Sequence, residues 1–402
     1  MLDKISKNVL HLICEYLDKT NVFNIISTNI VLHQQIKKYI EIHYWFKYDN
    51  SSKKYEHAFI KQKINQDFVN SLKNIRKLIA PDLHTIQYFN NVTHLHIINN
   101  VYFNKYAQYS DALKHIKHIE FPFIYENIVD LVLQYKNITS LKIYDHCAKH
   151  ELNCLTSLKH LDRIELGIVD FYKIKENEFQ FNNVKVVTIQ SDYNMTQFNY
   201  LNIFTNLEIL IFKNNCYIKC IEQSDSLQNI KILKLSENYS YAINNLNMPN
   251  LKILHVGSNF NSEISNVNFP NLEELYMNFT FDKSLNLLFP NLKILHLGPH
   301  FNFGMSSVNL PNLEEFHVGF TNNLPLDLHL PKLAKLFVCC YFSENTNINA
   351  PHLKYIEFEC FNESINHIFS KYPLLETIVL PKTYNCTLYE DNLPENLQIV
   401  IK

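Results

Sequence analysis

The chain has 402 residues, of which 47% are hydrophobic, with 5 Gly, 9 Cys and 52 Asn. That apolar content is ample for a core and excludes a largely disordered chain. A net charge of −2 offers no field for nucleic acid, and five glycines with no GxGxxG or GxxxxGK[ST] string leave no phosphate-cradling loop.

The first residues, Met1 to Ser6, have no basic stretch leading into an apolar one, so no secretory signal is expected. No run of 18 apolar residues occurs, which removes the membrane as a partner. Val9, Leu10, Leu12, Ile13, Tyr16 and Leu17 recur at helical spacing behind Ser6, a suitable N-cap. Asp18 to Asn21 break that helix. Val22, Phe23, Ile25 and Ile26 predict a second short helix, and Leu32, Ile36, Tyr39 and Ile40 a third over 30–42. Residues 1–45 thus read as a three-helix module. Residues 46–90, with Phe46, Phe59, Phe68 and Leu72, are expected to continue as a helical linker and a first irregular coil.

From 91 to 402 a single frame repeats, Leu-x-x-Leu-x-apolar. It opens with Val92, Leu95, Ile97, then Ile116, Ile119, Phe121 and Ile138, Leu141, Ile143, and ends with Leu375, Ile378, Leu380. Fourteen such frames recur at a mean period of about 22 residues. From Pro249 onward a Pro-Asn-Leu block marks each unit, at Pro249, Pro270, Pro290 and Pro311. It continues as Pro-Lys-Leu at Pro331 and Pro-His-Leu at Pro351. The end of each frame predicts a short strand with its flanking apolar residues inward and the central residue outward. One coil cannot bury its own apolar edge, so coils stack and share a core. The expectation is an α/β solenoid of about fourteen coils around a curved parallel sheet. Longer upstream intervals hold helix-like inserts such as Glu126–Leu133, whereas shorter downstream ones should be extended or turn-like.

The repeat resembles the leucine-rich repeat. In that family the ninth position often carries an Asn whose amide bonds neighbouring coils. Here the slot holds Asn100, Asp192, Asn215, Asn238 and Asn259, and later Thr280, His300 and Thr321. From about residue 230 the coils also resemble the FNIP repeat. The matching pieces are Leu254-His255-Val256-Gly257 leading to Phe260-Asn261, and Leu295-His296-Leu297-Gly298 leading to Phe301-Asn302. The Ile-Pro that comes after Phe-Asn in that family is absent.

The N-terminal module resembles the F-box. The family's opening pair, apolar pair and Ile-x-x-Tyr-Leu-Asp string fall on Ile5-Ser6, Val9-Leu10 and Ile13-Cys14-Glu15-Tyr16-Leu17-Asp18. Val22-Phe23 and Ile26-Ser27 match the family's second apolar pair and its Ser. Ser6 stands where Pro is usual, and Leu32-His33 where Trp is common. Together the two resemblances imply a substrate receptor of an SCF-type ubiquitin ligase, of the kind found in amoebae and their large DNA viruses. The F-box would bind a Skp-type adaptor, and through it a cullin, with Val9, Leu10, Ile13, Leu17 and Phe23 as contacts. The same helices would also serve as a cap over the open end of a leucine-rich-repeat interaction scaffold. Either reading places the chain in the cytoplasm or nucleus, or in the host cytoplasm for a viral protein.

The outward residues of successive frames alternate in charge at first: His96, Glu120, Lys142, Glu165. They then become His255, Tyr276, His296, His317 and Phe337. With strands about 4.8 Å apart, these rings could stack into one patch. That patch is either a target-binding face or a device that stabilises the sheet. No catalytic motif such as G-x-S-x-G or H-E-x-x-H occurs, so no enzyme is expected. His296 and His317, like His94, His96 and His118, should be neighbours. No Asp or Cys completes either set at ligand spacing, so neither metal nor cofactor is expected. The nine cysteines form no C-x-x-C and read as buried thiols in a reducing compartment.

Overall fold

A computed structural model describes residues 46–49, 54–59, 76–80, 91–97, 114–121, 137–147, 149–169, 178–190, 194–195, 199–213, 217–218, 225–277, 280–283, 289–301, 308–319, 327–339, 347–360, 364–386, 393 and 396–402. The three helices expected over 1–45, with Val9, Leu10, Ile13, Leu17 and Phe23, lie outside them. So do the insert at 126–133 and Asn100, Asp192 and Asn215. The chain divides into two compact units, Met1–Asp170 and Phe171–Lys402.

In the first unit Phe46–Asp49 pairs antiparallel with Lys54–Phe59. Lys54–Phe59 then pairs parallel with Lys77–Ala80, and the parallel order continues through His94–Ile97, His118–Phe121, Ser140–Cys147 and Arg163–Val169. Where the apolar spacing suggests a helical linker and an irregular coil over 46–90, the described residues are therefore strands. In the parallel register Ala58 sits opposite Leu78 and Phe59 opposite Ile79.

The second unit winds about ten turns of parallel-sheet solenoid. Its strands run in order from Val186–Ile189 and Ile209–Phe212 to Thr377–Leu380 and Gln398–Ile401. Register tracks the frame. Leu254 sits opposite Leu233 and Leu275, and Leu295 opposite Leu275 and Phe316. Each of the fourteen frames carries a strand, and its three apolar residues are buried, none more than 4% exposed. Each such side chain stabilises the stack by roughly 1.5–3 kcal/mol relative to exposure.

The Pro-Asn-Leu block is a turn with two functions. A buried apolar residue precedes each Pro, and its carbonyl accepts a bond from the amide of the frame Leu. Met248 O accepts from Leu251 N at 3.1 Å, Phe269 O from Leu272 N at 3.2 Å, and Phe289 O from Leu292 N at 3.2 Å. Proline's fixed φ suits the second position of such an i→i+3 turn. The Asn amide then reaches the preceding coil. Asn271 Nδ2 donates to Pro249 O at 2.8 Å, Asn291 Nδ2 to Pro270 O at 2.9 Å, and Asn312 Nδ2 to Pro290 O at 2.7 Å. Asn137, Asn206 and Asn250 also donate to a carbonyl of the preceding coil. Among the described residues a recurring amide ladder thus sits here, and the ninth position bonds between coils as well. There Asn259 Nδ2 donates to the Asn238 side chain at 3.2 Å and Thr280 Oγ1 to Ser258 O at 2.7 Å.

Behind the frame a second buried row consists of Tyr239, Phe260, Phe281 and Phe301. Their rings stack at centroid distances of 5.9, 5.9 and 6.0 Å, within 11° of parallel. These include the Phe residues of the FNIP-like pieces, so those Phe positions form a core spine. Away from the main sheet, short intervals are extended. Ile243–Asn244 pairs with Ile264–Ser265, and Asp327–His329 with Asn347–Asn349. Longer intervals hold the helices Lys149–Cys154 and Asn366–Lys371 and the 3-10 turns Asn199–Ile203 and Asp225–Asn229. Asn245 and Asn266 take positive φ of 55° and 50°, so Asn supplies the left-handed corners usually left to glycine.

No disulfide joins the described cysteines, and they are not uniformly buried. Cys147 is buried, but Cys154 and Cys360 are exposed. None of the helices among the described residues is long and apolar enough to cross a membrane.

Candidate functional site

Each frame offers two outward side chains, because the alternation of a strand exposes residues on both sides of the central buried Leu. In Ile294–His296, Ile294 and His296 are half-exposed while Leu295 is buried. The outward positions expected from the frame are only the second of these. The first forms its own row: Val186, Ile209, Ile232 and Ile253 are consecutive register neighbours, and Ile294 comes after Glu274. All five aliphatics are half-exposed. The signal is present in the sequence as the apolar residue just before the central Leu.

The second row brings together all five residues expected on the target-facing side. His255 stacks on Tyr276 at 4.1 Å and 2°, and Tyr276 on His296 at 4.6 Å with a 48° tilt. His296 stacks on His317 at 3.5 Å and 22°, and His317 on Phe337 at 3.9 Å and 6°. The row then steps diagonally to Tyr355, 5.4 Å from Phe337. Because the rings cover one another's faces, they present edges to solvent. Carboxylates two residues away along the strand hold them upright. Tyr276 Oη donates to Glu274 Oε2 at 2.8 Å, His317 Nε2 meets Glu315 Oε1 at 2.8 Å, and Tyr355 Oη donates to Glu357. Lys335 Nζ donates to Glu315 Oε2 at 3.2 Å, and Lys402 Nζ to Glu357 Oε1 at 2.7 Å.

This arrangement shapes the ionisation of the row. Burial, reinforced by the neighbouring His317, pulls the His296 imidazole down to about 4, so it is neutral near pH 7. Burial and Lys234 lower His255 as well. Burial raises Tyr276 to about 12, helped by its bond to Glu274. At Glu315 burial opposes ionisation, but the bonds from His317 and Lys335 outweigh it and hold the carboxyl below its ordinary range. The result is a row of rings, His296 and Tyr276 neutral among them, flanked by carboxylates.

In the first unit, the residues of alternating charge also meet. His96 Nδ1 is 3.5 Å from Glu120, while Lys142 Nζ is 4.0 Å from Glu120 and 3.3 Å from Glu165. His94 stacks on His118 at 4.0 Å and His96 on Tyr144 at 5.2 Å. Tyr144 Oη donates to Glu120, and Lys142 Nζ lies 4.2 Å above the Tyr144 ring.

For metal ligation the structure adds a residue that spacing alone does not supply. Glu315 lies two positions before His317 and one strand from His296, and the three donor atoms fall within 4.8 Å of one another. The expectation of no metal rested on the lack of an Asp or Cys beside the histidines, whereas the third donor here is a Glu.

No protein-family model matches the chain, and no curated protein matches it in sequence. Among solved structures it is similar to leucine-rich-repeat proteins. CroV588, a circular leucine-rich-repeat protein, shares 14% identity at a TM-score of 0.41, over 82% of this chain and 66% of that one. The TLR13–ssRNA13 complex gives 15% and 0.44, over 81% and 53%. The leucine-rich-repeat protein LIC12759 of Leptospira interrogans gives 14% and 0.34, over 77% and 90%. The chain spans about half to two thirds of the length of the first two.

Proposed function

We propose that this chain is a non-enzymatic binding scaffold whose outward sheet face takes a partner protein. The observation that carries this reading is the unbroken row from His255 to Tyr355, which begins on the strand where the aliphatic run Val186, Ile209, Ile232 and Ile253 ends. Rigid rings and aliphatics on a fixed sheet lose little side-chain entropy on docking, and such residues dominate the centres of protein interfaces. Glu274, Glu315 and Glu357 edge the patch, the last two held below their ordinary carboxyl range, and would favour a partner with basic residues around an apolar centre.

The finer reading is that the scaffold is the substrate receptor of an SCF-type ubiquitin ligase. It is supported by the F-box-like string Ile13-Cys14-Glu15-Tyr16-Leu17-Asp18 and its preceding Val9-Leu10 pair. In this reading Val9, Leu10, Ile13, Leu17 and Phe23 grip the adaptor, the ring row selects the target, and the protein works in the cytoplasm or nucleus. The alternative, a scaffold with a helical cap, keeps the ring row and drops the adaptor.

Co-purification of the full chain with a recombinant Skp homologue separates the two. Binding that is lost when Leu10 and Ile13 become Glu, with the sheet intact by circular dichroism, supports the receptor. A folded chain that binds no Skp homologue leaves the capped scaffold. For the target face, a photo-crosslinking residue placed at 276 should capture a partner that one placed at exposed Lys252, on the row just before the strands, does not.

A further inference from the structure

The sheet places three metal-ligating side chains on one facet: two successive outward positions of a single strand and the register partner on the next. Glu315 and His317 are i and i+2 on Glu315–Val318, and His296 sits opposite His317. We propose that His296, Glu315 and His317 form a binding site for a borderline divalent transition-metal ion such as Zn2+, Ni2+ or Cu2+. It stands independently of the partner reading above.

Donor type points to that class. Two imidazoles and one carboxylate suit first-row divalent ions of intermediate softness better than Ca2+ or Mg2+, which favour oxygen shells. His296 Nε2 lies 3.9 Å and His317 Nε2 2.8 Å from Glu315 Oε1. Ligands about 2.1 Å from a tetrahedral ion are about 3.3–3.4 Å apart, so these two pairs need to move by roughly 0.5 Å. Lys335 occupies Glu315 Oε2 and leaves Oε1 turned toward the imidazoles.

Two features oppose tight binding and set its form. The imidazoles are stacked 3.5 Å apart at 22°, and a shared ion must widen that fan so both in-plane lone pairs converge. The ion also displaces the proton between His317 Nε2 and Glu315 Oε1, with His317 protonated on Nδ1 instead. Three protein donors leave a coordination position facing solvent, open to water.

The test is titration of the full-length chain with Zn2+ by calorimetry and with Cu2+ by electron paramagnetic resonance at neutral pH. His296→Phe keeps a ring in the stack but removes a donor, and Glu315→Gln keeps shape but removes charge. The expected result is one saturable site, weakened at least tenfold in either variant, with nitrogen hyperfine structure falling from two imidazoles to one in His296→Phe. Unchanged binding in both folded variants, or no saturable binding below 1 mM, would overturn the proposal.

Discussion

At the scale of single residues, close approach between coils decides what can be substituted. A Cβ on Gly257 would fall 1.9 Å from Ser236 O and 2.6 Å from Glu237 Cα, both of them backbone. Backbone cannot swing aside as a side chain can. Gly257→Ala should therefore lower stability by about 1–3 kcal/mol, read as a fall in thermal midpoint. Asn291 Nδ2 donates to Pro270 O on an exposed edge, so Asn291→Ala should lose about 0.5–1.5 kcal/mol in urea denaturation. Acid should weaken the fold in two windows. His296 has a folded value near 4 against 6.5, so the unfolded chain binds its proton more readily and stability declines as pH falls from 6.5 to 4. Bonds from Lys252 and Lys293 hold Glu273 near 2 against 4.5, so its contribution, present above 4.5, is lost on going toward 2. Glu273 is near the surface, and salt should shrink the second effect more than the first. Chemical denaturation across pH 2–7, with and without 0.5 M salt and with His296→Phe, checks both.

At the scale of elements, the coil is one turn plus one strand, and its sequence encodes both. Leu-x-x-Leu-x-apolar placed every frame residue in the core correctly because alternation leaves a strand residue only two directions. Proline before Asn was legible as punctuation. Its physical role, a turn whose Asn then bonds the preceding coil, needed the distances between coils. Leu295→Ala should cost about 2–5 kcal/mol, since its site between Leu275 and Phe316 is walled by stacked side chains that cannot collapse inward. In native-state hydrogen exchange of that variant, the amides of Glu274–Tyr276 and Glu315–Val318 should lose protection before those of Thr377–Leu380. A uniform loss would mean that the coils open together rather than through nearest-neighbour interfaces.

At the scale of the molecule, each unit repeats one solution, and function is confined to whatever the repeat leaves variable. Inward positions are constrained by packing. Outward positions are free to change from coil to coil, and they do so in blocks: paired charges over Glu120 to Glu165, aliphatics over Val186 to Ile253, rings over His255 to Tyr355. Alternating the sign of charge on register neighbours turns the first block into successive ion pairs that satisfy one another. The aliphatic and ring blocks have no such internal satisfaction for their exposed apolar edges, and they are where a partner gains most by excluding water. Tyr276→Ala should therefore weaken partner capture and also cost about 1–3 kcal/mol of stability, through the lost stacks on His255 and His296. A pull-down paired with a melting curve distinguishes that outcome from simple loss of folding.

The period, the frame strands, the buried face and the identity of the five stacked rings are readable from the chain alone, because each arises from local alternation repeated at a fixed interval. Three other facts were settled by folding: that the Asn of the Pro-Asn-Leu block bonds the preceding coil, that an aliphatic row leads up to the rings, and that Glu315 reaches both His296 and His317. They depend on register between strands some 20 residues apart in sequence. No pattern within one coil records where the next will sit against it.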